Sequence, residues 1–114
     1  MKGRKFDSKK LRWSLLPWDA LAPVVRVLEF GCKKYKENNW MKVEGGYRRY
    51  RDAALRHLIA LDSGQTLDPE TGEHHLAHAL CSCLFALHHH QNASKLLIRR
   101  AIPKGGKKGR HALS

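Results

Sequence analysis

A chain of 114 residues has room for one domain with a small core. Its 22 lysines and arginines against 10 acids leave a formal charge of +12 and a pI near 10.1, which points to an anionic partner: nucleotide, nucleic acid or acidic surface. No apolar run is long enough to span a bilayer, no apolar stretch follows the charged Met1–Lys5 as a secretory leader requires, and three cysteines in helical patterns read as reduced, packed thiols, so membrane and disulfide-scaffold classes drop out and a cytoplasmic protein is expected.

Residues 1–16 read as a basic, irregular lead in which Phe6, Leu11, Trp13, Leu15 and Leu16 are anchors expected to lie across the domain. Pro17-Trp18-Asp19 opens a first helix, since proline suits the first positions and an early acid favours the positive end of the dipole. That helix is expected from about Trp18 to Tyr35, with Leu21, Val24, Val25, Leu28 and Cys32 as its apolar stripe and Lys33, Lys34 and Lys36 at its negative end. Residues 37–46 form a loop that carries Asn38, Asn39, Trp40 and Lys42, a set suited to a nucleobase or a phosphate.

A second helix is expected from about Tyr47 to Asp62, burying Tyr50, Ala54, Leu58 and Leu61 with His57 beside them and ending at Ser63-Gly64. After a polar link from Gln65 to Gly72, a third helix runs from about Glu73 to Gln91 with Leu76, Leu80, Cys83, Leu84 and Leu87 as its core face. The amphipathic stretch Lys95–Arg99 makes a short fourth helix or docks on a partner, and Pro103 ends order before a flexible basic tail. No strand pattern or internal repeat stands out. The expectation is an all-α compact bundle of three to four helices, with residues 1–103 as one helical domain and residues 104–114 as the tail. Three amphipathic helices bury little by themselves, so an oligomer is expected.

The chemistry concentrates between Arg56 and His78. His75 and His78 are three residues apart on one side of a helix, and an antiparallel return brings His57 toward them. His57 alone reads as a hydrogen-bonded core histidine, and the His75–His78 pair brings a shared site level with that reading. Asp68 and Glu70, in the turn before the third helix, either cap it or join the histidines around a divalent ion, and Glu73 suits either role. His57, Asp68, His75 and His78 are the candidate metal ligands, and His57 or Asp68 the candidate general base. Arg56 can clamp a phosphate with its planar fork, whereas Asp52, one turn earlier, reads as its surface ion-pair partner. Lys33, Lys34, Tyr35, Asn39 and Trp40 make a second set: cations for a polyphosphate, an amide and rings for a base. His88-His89-His90 point about 100° apart on a helix, cannot share one ion, and read as an exposed run.

Together these blocks resemble one family. Lys10-Leu11-Arg12-Trp13-Ser14-Leu15-Leu16-Pro17-Trp18-Asp19-Ala20-Leu21, Phe30-Gly31-Cys32-Lys33-Lys34-Tyr35 with Asn39-Trp40, Ala53-Ala54-Leu55-Arg56-His57-Leu58, Asp68-Pro69-Glu70-Thr71-Gly72 and His75-Leu76-Ala77-His78-Ala79 are similar, in this order, to the phage-associated dATP/dGTP diphosphohydrolase N-terminal family, whose name links it to MazG-like all-α nucleotide pyrophosphohydrolases. The resemblance covers about residues 5 to 90. It implies a MazG-like, associating helical protein of a phage, working in the host cytoplasm on purine deoxynucleoside triphosphates. It also implies Mg²⁺ or Mn²⁺ and a water attack that leaves a monophosphate and pyrophosphate. On this basis His57, Asp68, Glu70 and His78 are the catalytic candidates. The sequence departs from the MazG pattern: its only Glu-x-x-Glu, Glu70 and Glu73, straddles Gly72, and no Glu-x-x-Asp exists. A histidine-rich site replaces the carboxylate pairs, or the domain binds a nucleotide without hydrolysing it. A third reading is a nucleic-acid-binding accessory protein that uses the basic tail.

Overall fold

The computed structural model describes residues 3–4 and 8–101, the stretch 94–101 as helix backbone alone. Phe6, the side chains of Lys95–Arg99 and the expected tail lie outside the described residues. Three α-helices carry the architecture: α1 (Trp18–Lys34), α2 (Gly46–Asp62) and α3 (His75–Ala101). Short 3₁₀ turns cover Trp13–Leu15 and Asn39–Lys42, and among the described residues the only β-type pairing is one isolated bridge between Leu67 and His74. The all-α expectation holds. The separate fourth helix does not: residues 95–99 continue α3, because nothing between Gln91 and Ser94 breaks it.

The Pro17 carbonyl accepts from the amides of Ala20 and Leu21, so α1 begins with Pro17 as its cap, and it runs on through Pro23. Asn38 and Gly45, both left-handed, turn the connecting loop into α2. The Ser63 hydroxyl donates to the Ile59 carbonyl, and Gly64 and Gln65 amides satisfy Leu61 and Ala60, which closes α2. The chain then folds back tightly. Asp68 N–H donates to Glu73 O, Gly72 N–H to Asp68 O with Gly72 at φ 73, and His75 N–H to Thr66 O. This return sets α2 and α3 antiparallel, while α1 packs chiefly on α3.

The interior is lined by small side chains. Val24 and Val27 of α1 meet Ala77 and Cys81 of α3, with Leu28 and Phe85 packed against them, and Ala54, Ala79 and Ala86 are also buried. The expected core face of α3 is therefore the wrong one: Leu76, Leu80, Cys83, Leu84 and Leu87 are all exposed, and the alanine side faces inward. Small residues let two helices approach closely along α3, which rank by hydrophobicity alone does not anticipate. In α1 the interior edge is Val24 and Val27 with Leu28, whereas Val25 and Cys32 point outward. In α2 Ala54 is buried and Tyr50 and Leu61 half-buried, as expected, but Leu58 is exposed. The anchors of the lead are corrected too: Leu11, Trp13 and Leu15 are between 65% and 77% exposed. Among the described residues no helix is long and apolar enough to cross a membrane.

Candidate functional site

The tight return between α2 and α3 builds one side of the site. Asp68 closes it: its Oδ1 accepts the amides of Glu70 at 2.9 Å and Thr71 at 3.0 Å. Burial alone would raise the Asp68 carboxyl, but these two amides and the nearby imidazoles outweigh it and hold it below the usual range. The helix-capping reading for Asp68 and Glu70 is thereby corrected. Asp68 caps its own turn, Glu70 reaches Lys34 of α1 at 3.0 Å, and the first turn of α3 is closed by His74 Nδ1, which accepts from the Leu76 amide. Glu73 makes a two-pronged pair with Arg26, at 2.9 and 3.0 Å, which holds its carboxyl low. Both acids of the Glu-x-x-Glu pair are thus tied to α1.

Three imidazoles converge on this turn, as their spacing led one to expect. His57 of α2 and His75 of α3 approach with Nδ1 atoms 2.8 Å apart, sharing one hydrogen. His75 is 3% exposed, and its Nε2 donates to Gln65 Oε1 at 2.7 Å, which leaves Nδ1 as an acceptor. The ring of His57 also stacks on that of His78, centroids 4.5 Å apart. His78 Nε2 hydrogen-bonds Thr71 Oγ1 at 2.6 Å and lies 3.9 Å from Asp68 Oδ1. Burial, then the neighbouring imidazoles, hold His57 below the ordinary imidazole range; burial does the same for His78 despite the opposing pull of Asp68. Both rings are neutral at neutral pH. The donor atoms of His57, Asp68 and His75 all lie within 4.8 Å of one another. Two imidazoles and one carboxylate form a set that suits a first-row divalent metal, and Gln65 is an outer hydrogen-bond partner of the kind that fixes a ligating ring. Cis ligands about 2.1 Å from one ion sit about 3 Å apart, so the His57–His75 spacing fits.

Beside this cluster a cavity of about 880 Å³ opens between the C-terminal half of α1, the 39–43 turn, α2 and α3. Of the expected site residues, Lys34, Tyr35, Asn39, Trp40, Arg56, His57, Glu70 and His78 line it, while Asp68 and His75 stand outside its lining. Lys33 does not join them. It faces a smaller recess with Arg26, Glu29 and Glu73, because consecutive helical residues diverge by about 100°. Arg49, Tyr50, Asp52 and Ala53 also line the cavity, and Arg49 and Asp52 escaped sequence reasoning as site residues. Their spacing with Arg56 at i, i+3 and i+7 was the available signal. Asp52, expected to pair with Arg56, instead lies 3.5 Å from Arg51.

The cavity's far wall is set by Trp40, stacked on Phe85 with centroids 4.3 Å apart and its edge toward His88. His89 Nε2 donates to the Trp40 carbonyl at 2.8 Å, and its ring packs over Gly46 and against Tyr50. The expected exposed histidine run is corrected in part: His88 and His89 are half-buried, while His90 is exposed and contacts Tyr47. A helical run displays its side chains in turn to whatever loop crosses it.

Comparison with known proteins adds three findings. The family model described as dATP/dGTP diphosphohydrolase, N-terminal, matches residues 1–98. A dATP/dGTP diphosphohydrolase of Salmonella phage PMBT28 is 40% identical over 87 residues, which cover 75% of this chain and 29% of that relative; the match thus spans under a third of the relative's length. No solved structure matches the chain.

Proposed function

The chain belongs to the dATP/dGTP diphosphohydrolase N-terminal family, and from that premise we propose that it is a nucleotide diphosphohydrolase which converts purine deoxynucleoside triphosphates to monophosphate and pyrophosphate. The observation that carries this reading is a cavity of nucleotide size whose lining joins cations, an aromatic ring and two of the three clustered imidazoles, His57 and His78. In this reading Lys34, Arg49 and Arg56 offset the charge of the triphosphate, about −4 at neutral pH, and orient it for in-line attack. Tyr35, Asn39 and Trp40 hold the base, with stacking and amide hydrogen bonds as the sources of affinity. His57, Asp68 and His75 would hold a divalent ion; the imidazole content favours Mn²⁺ over Mg²⁺. Such an ion, when bound, would stabilise charge on phosphoryl oxygen and acidify water. His78, neutral and on the cavity wall, accepts the proton of the attacking water, and Thr71 orients its ring. Glu70, held by Lys34, is released as Lys34 turns to the phosphates. A MazG-like architecture, association of copies and work in the nucleotide pool of a phage-infected cytoplasm belong to the same proposal.

One observation favours a second reading. Glu70 and Glu73 are both ion-paired, as suits a domain that binds and sequesters a nucleotide without cleaving it. Incubation with a panel of dNTPs, with Mn²⁺, with Mg²⁺ and with chelator, followed by product analysis, decides. Monophosphate plus pyrophosphate supports the enzyme, and tight binding of unchanged ligand the sequestering protein. Neither outcome, together with duplex binding that falls steeply with salt and is lost on removing residues 104–114, would transfer support to the nucleic-acid reading.

A further inference from the structure

One charged side chain of the cavity's α2 wall takes no part in holding phosphate or metal. Asp52 lines the cavity between Arg49 at i−3 and Arg56 at i+4. Among the described residues its one ion-pair contact is Oδ1 to its chain neighbour Arg51, at a long 3.5 Å, so its other oxygen is open to a donor. The remaining acids of the lining are placed differently: Glu70 is held by Lys34, and Glu37 belongs to the loop after α1. Nor does Asp52 belong to the ion seat, whose donors are His57, Asp68 and His75. A carboxylate in a wall that also carries two arginines repels phosphate and attracts a hydrogen donor, since an ionised carboxylate can only accept.

The position of Asp52 along α2 says which donor. The stacked rings at one end of the cavity, Trp40 and Phe85, meet α2 at Tyr50, whose ring lies edge-on to Phe85 with centroids 5.0 Å apart. The imidazoles at the other end meet α2 at His57. Asp52 is two residues from the first and five from the second, about 3 Å and about 7.5 Å along the helix axis. A nucleotide that lays its base on the rings and its phosphates toward the imidazoles has its sugar between them, level with Asp52 and Ala53. A deoxyribose joined to base at C1′ and to phosphate at C5′ keeps one donor, the 3′-hydroxyl. Ala53, beside Asp52 in the lining, presents only a methyl group, so this wall offers one carboxylate to a sugar with one hydroxyl. We propose that Asp52 accepts a hydrogen bond from the 3′-hydroxyl of the deoxynucleotide, and so selects free mononucleotides over 3′-esterified ones such as the residues within a nucleic-acid strand. A 3′-phosphoester has no proton to give and brings a negative charge against the carboxylate. The same charge keeps phosphates out of the middle of the cavity and thereby sets the direction in which the nucleotide lies. The inference rests on the nucleotide reading of the cavity, and not on whether the ligand is hydrolysed.

Isothermal titration calorimetry with two probes tests it. One is 2′-deoxyguanosine 5′-(α,β-imido)triphosphate, which resists cleavage between the α- and β-phosphorus, and the other is its 2′,3′-dideoxy counterpart, each with Mn²⁺. The wild-type chain is expected to bind the first at least ~10-fold more tightly, as loss of a hydrogen bond to a charged acceptor implies. In Asp52→Ala the two affinities are expected to agree within ~2-fold, and the dideoxy probe to bind no more weakly than to the wild type, because a negative charge has left the wall. Equal binding of both probes to the wild type overturns the proposal. So does a preference that persists undiminished in Asp52→Ala, which would place the acceptor elsewhere, with Glu37 the next acid of the lining. A folded Asp52→Ala chain that loses the dideoxy probe overturns it too, since that probe has no bond to Asp52 to lose. Failure of the wild type to bind either probe is distinct: it overturns the nucleotide reading, and the proposal with it. Should Asp52→Ala lose helicity by circular dichroism, Asp52→Asn takes its place, where a neutral acceptor should lessen the preference and an undiminished one is the overturning result.

Discussion

Replacing Gly46 with alanine tests how the Trp40 wall of the cavity is held. A methyl group at Gly46 would fall into the His89 imidazole, which lies over the first residue of α2. The ring is not free to yield, since its Nε2 is bonded to the Trp40 carbonyl and its face packs on Tyr50. Overpacking of this kind costs about 1–3 kcal/mol. If His89 swings out instead, the lost hydrogen bond costs about 1 kcal/mol. Alanine returns up to about 1 kcal/mol of helix propensity, less at a helix start. The net expectation is about 2 kcal/mol of destabilisation, a fall of about 8–16 °C in Tm for a domain this small. Differential scanning calorimetry measures it, and a double-mutant cycle with His89→Ala assigns it, because the penalty should largely vanish once the ring is gone. An unchanged Tm in Gly46→Ala, or a full penalty that persists without the ring, would refute the claim that His89 clamps the loop to α2.

Three further expectations separate neighbouring residues that the sequence treats alike. Lys34→Ala should weaken triphosphate binding by about tenfold to a hundredfold, as loss of a charge-assisted hydrogen bond implies, whereas Lys33→Ala should leave it unchanged; isothermal titration calorimetry reads both. His57 and His78 have folded-state values below that of the unfolded chain, so the unfolded state takes up protons first as the medium acidifies. Their contribution to stability is complete above about pH 6.5 and is lost as pH falls through that value toward the lowered folded ones. Tm should therefore fall between pH 7.5 and 5.5, and fall less in the His57→Gln, His78→Gln double variant; an equal fall in both would remove the imidazole cluster as the cause. The Cys81 thiol, buried and pushed up to about 11, should resist a thiol reagent in the native state while Cys32 reacts, as mass spectrometry of the labelled protein would show.

Much of the site was legible because it is local. His75 and His78 share a helix side by spacing alone, and the return through Asp68-Pro69-Glu70-Thr71-Gly72 necessarily brings His57 back to them. Lys34, Tyr35, Asn39, Trp40 and Arg56, singled out because their chemistry suits an anionic, aromatic ligand, line one cavity. What was missed lies on a helix face already assigned to packing or to surface pairing: Arg49 and Asp52 line the cavity beside Tyr50. The acids show the reverse problem. Glu70 and Glu73 look like a ligand pair in one dimension, but their partners Lys34 and Arg26 belong to a helix some forty residues away in sequence.

Periodicity, proline and glycine sufficed for three helices whose starts at Trp18, Gly46 and His75 lie within two residues of expectation, because those signals act over a few residues of backbone. Which side of each helix turns inward was decided only by packing. Along α3 an alanine stripe and a leucine stripe both read as apolar, and hydrophobicity ranks the leucines first. The third dimension chose the alanines, because α1 and α2 can close on α3 only where the side chains between them are small. The same tertiary choice sent Lys34 to the cavity and Lys33 to the far side, and it seated His89 over Gly46. Each depends on an element distant in sequence arriving at that spot, a relation no local pattern encodes.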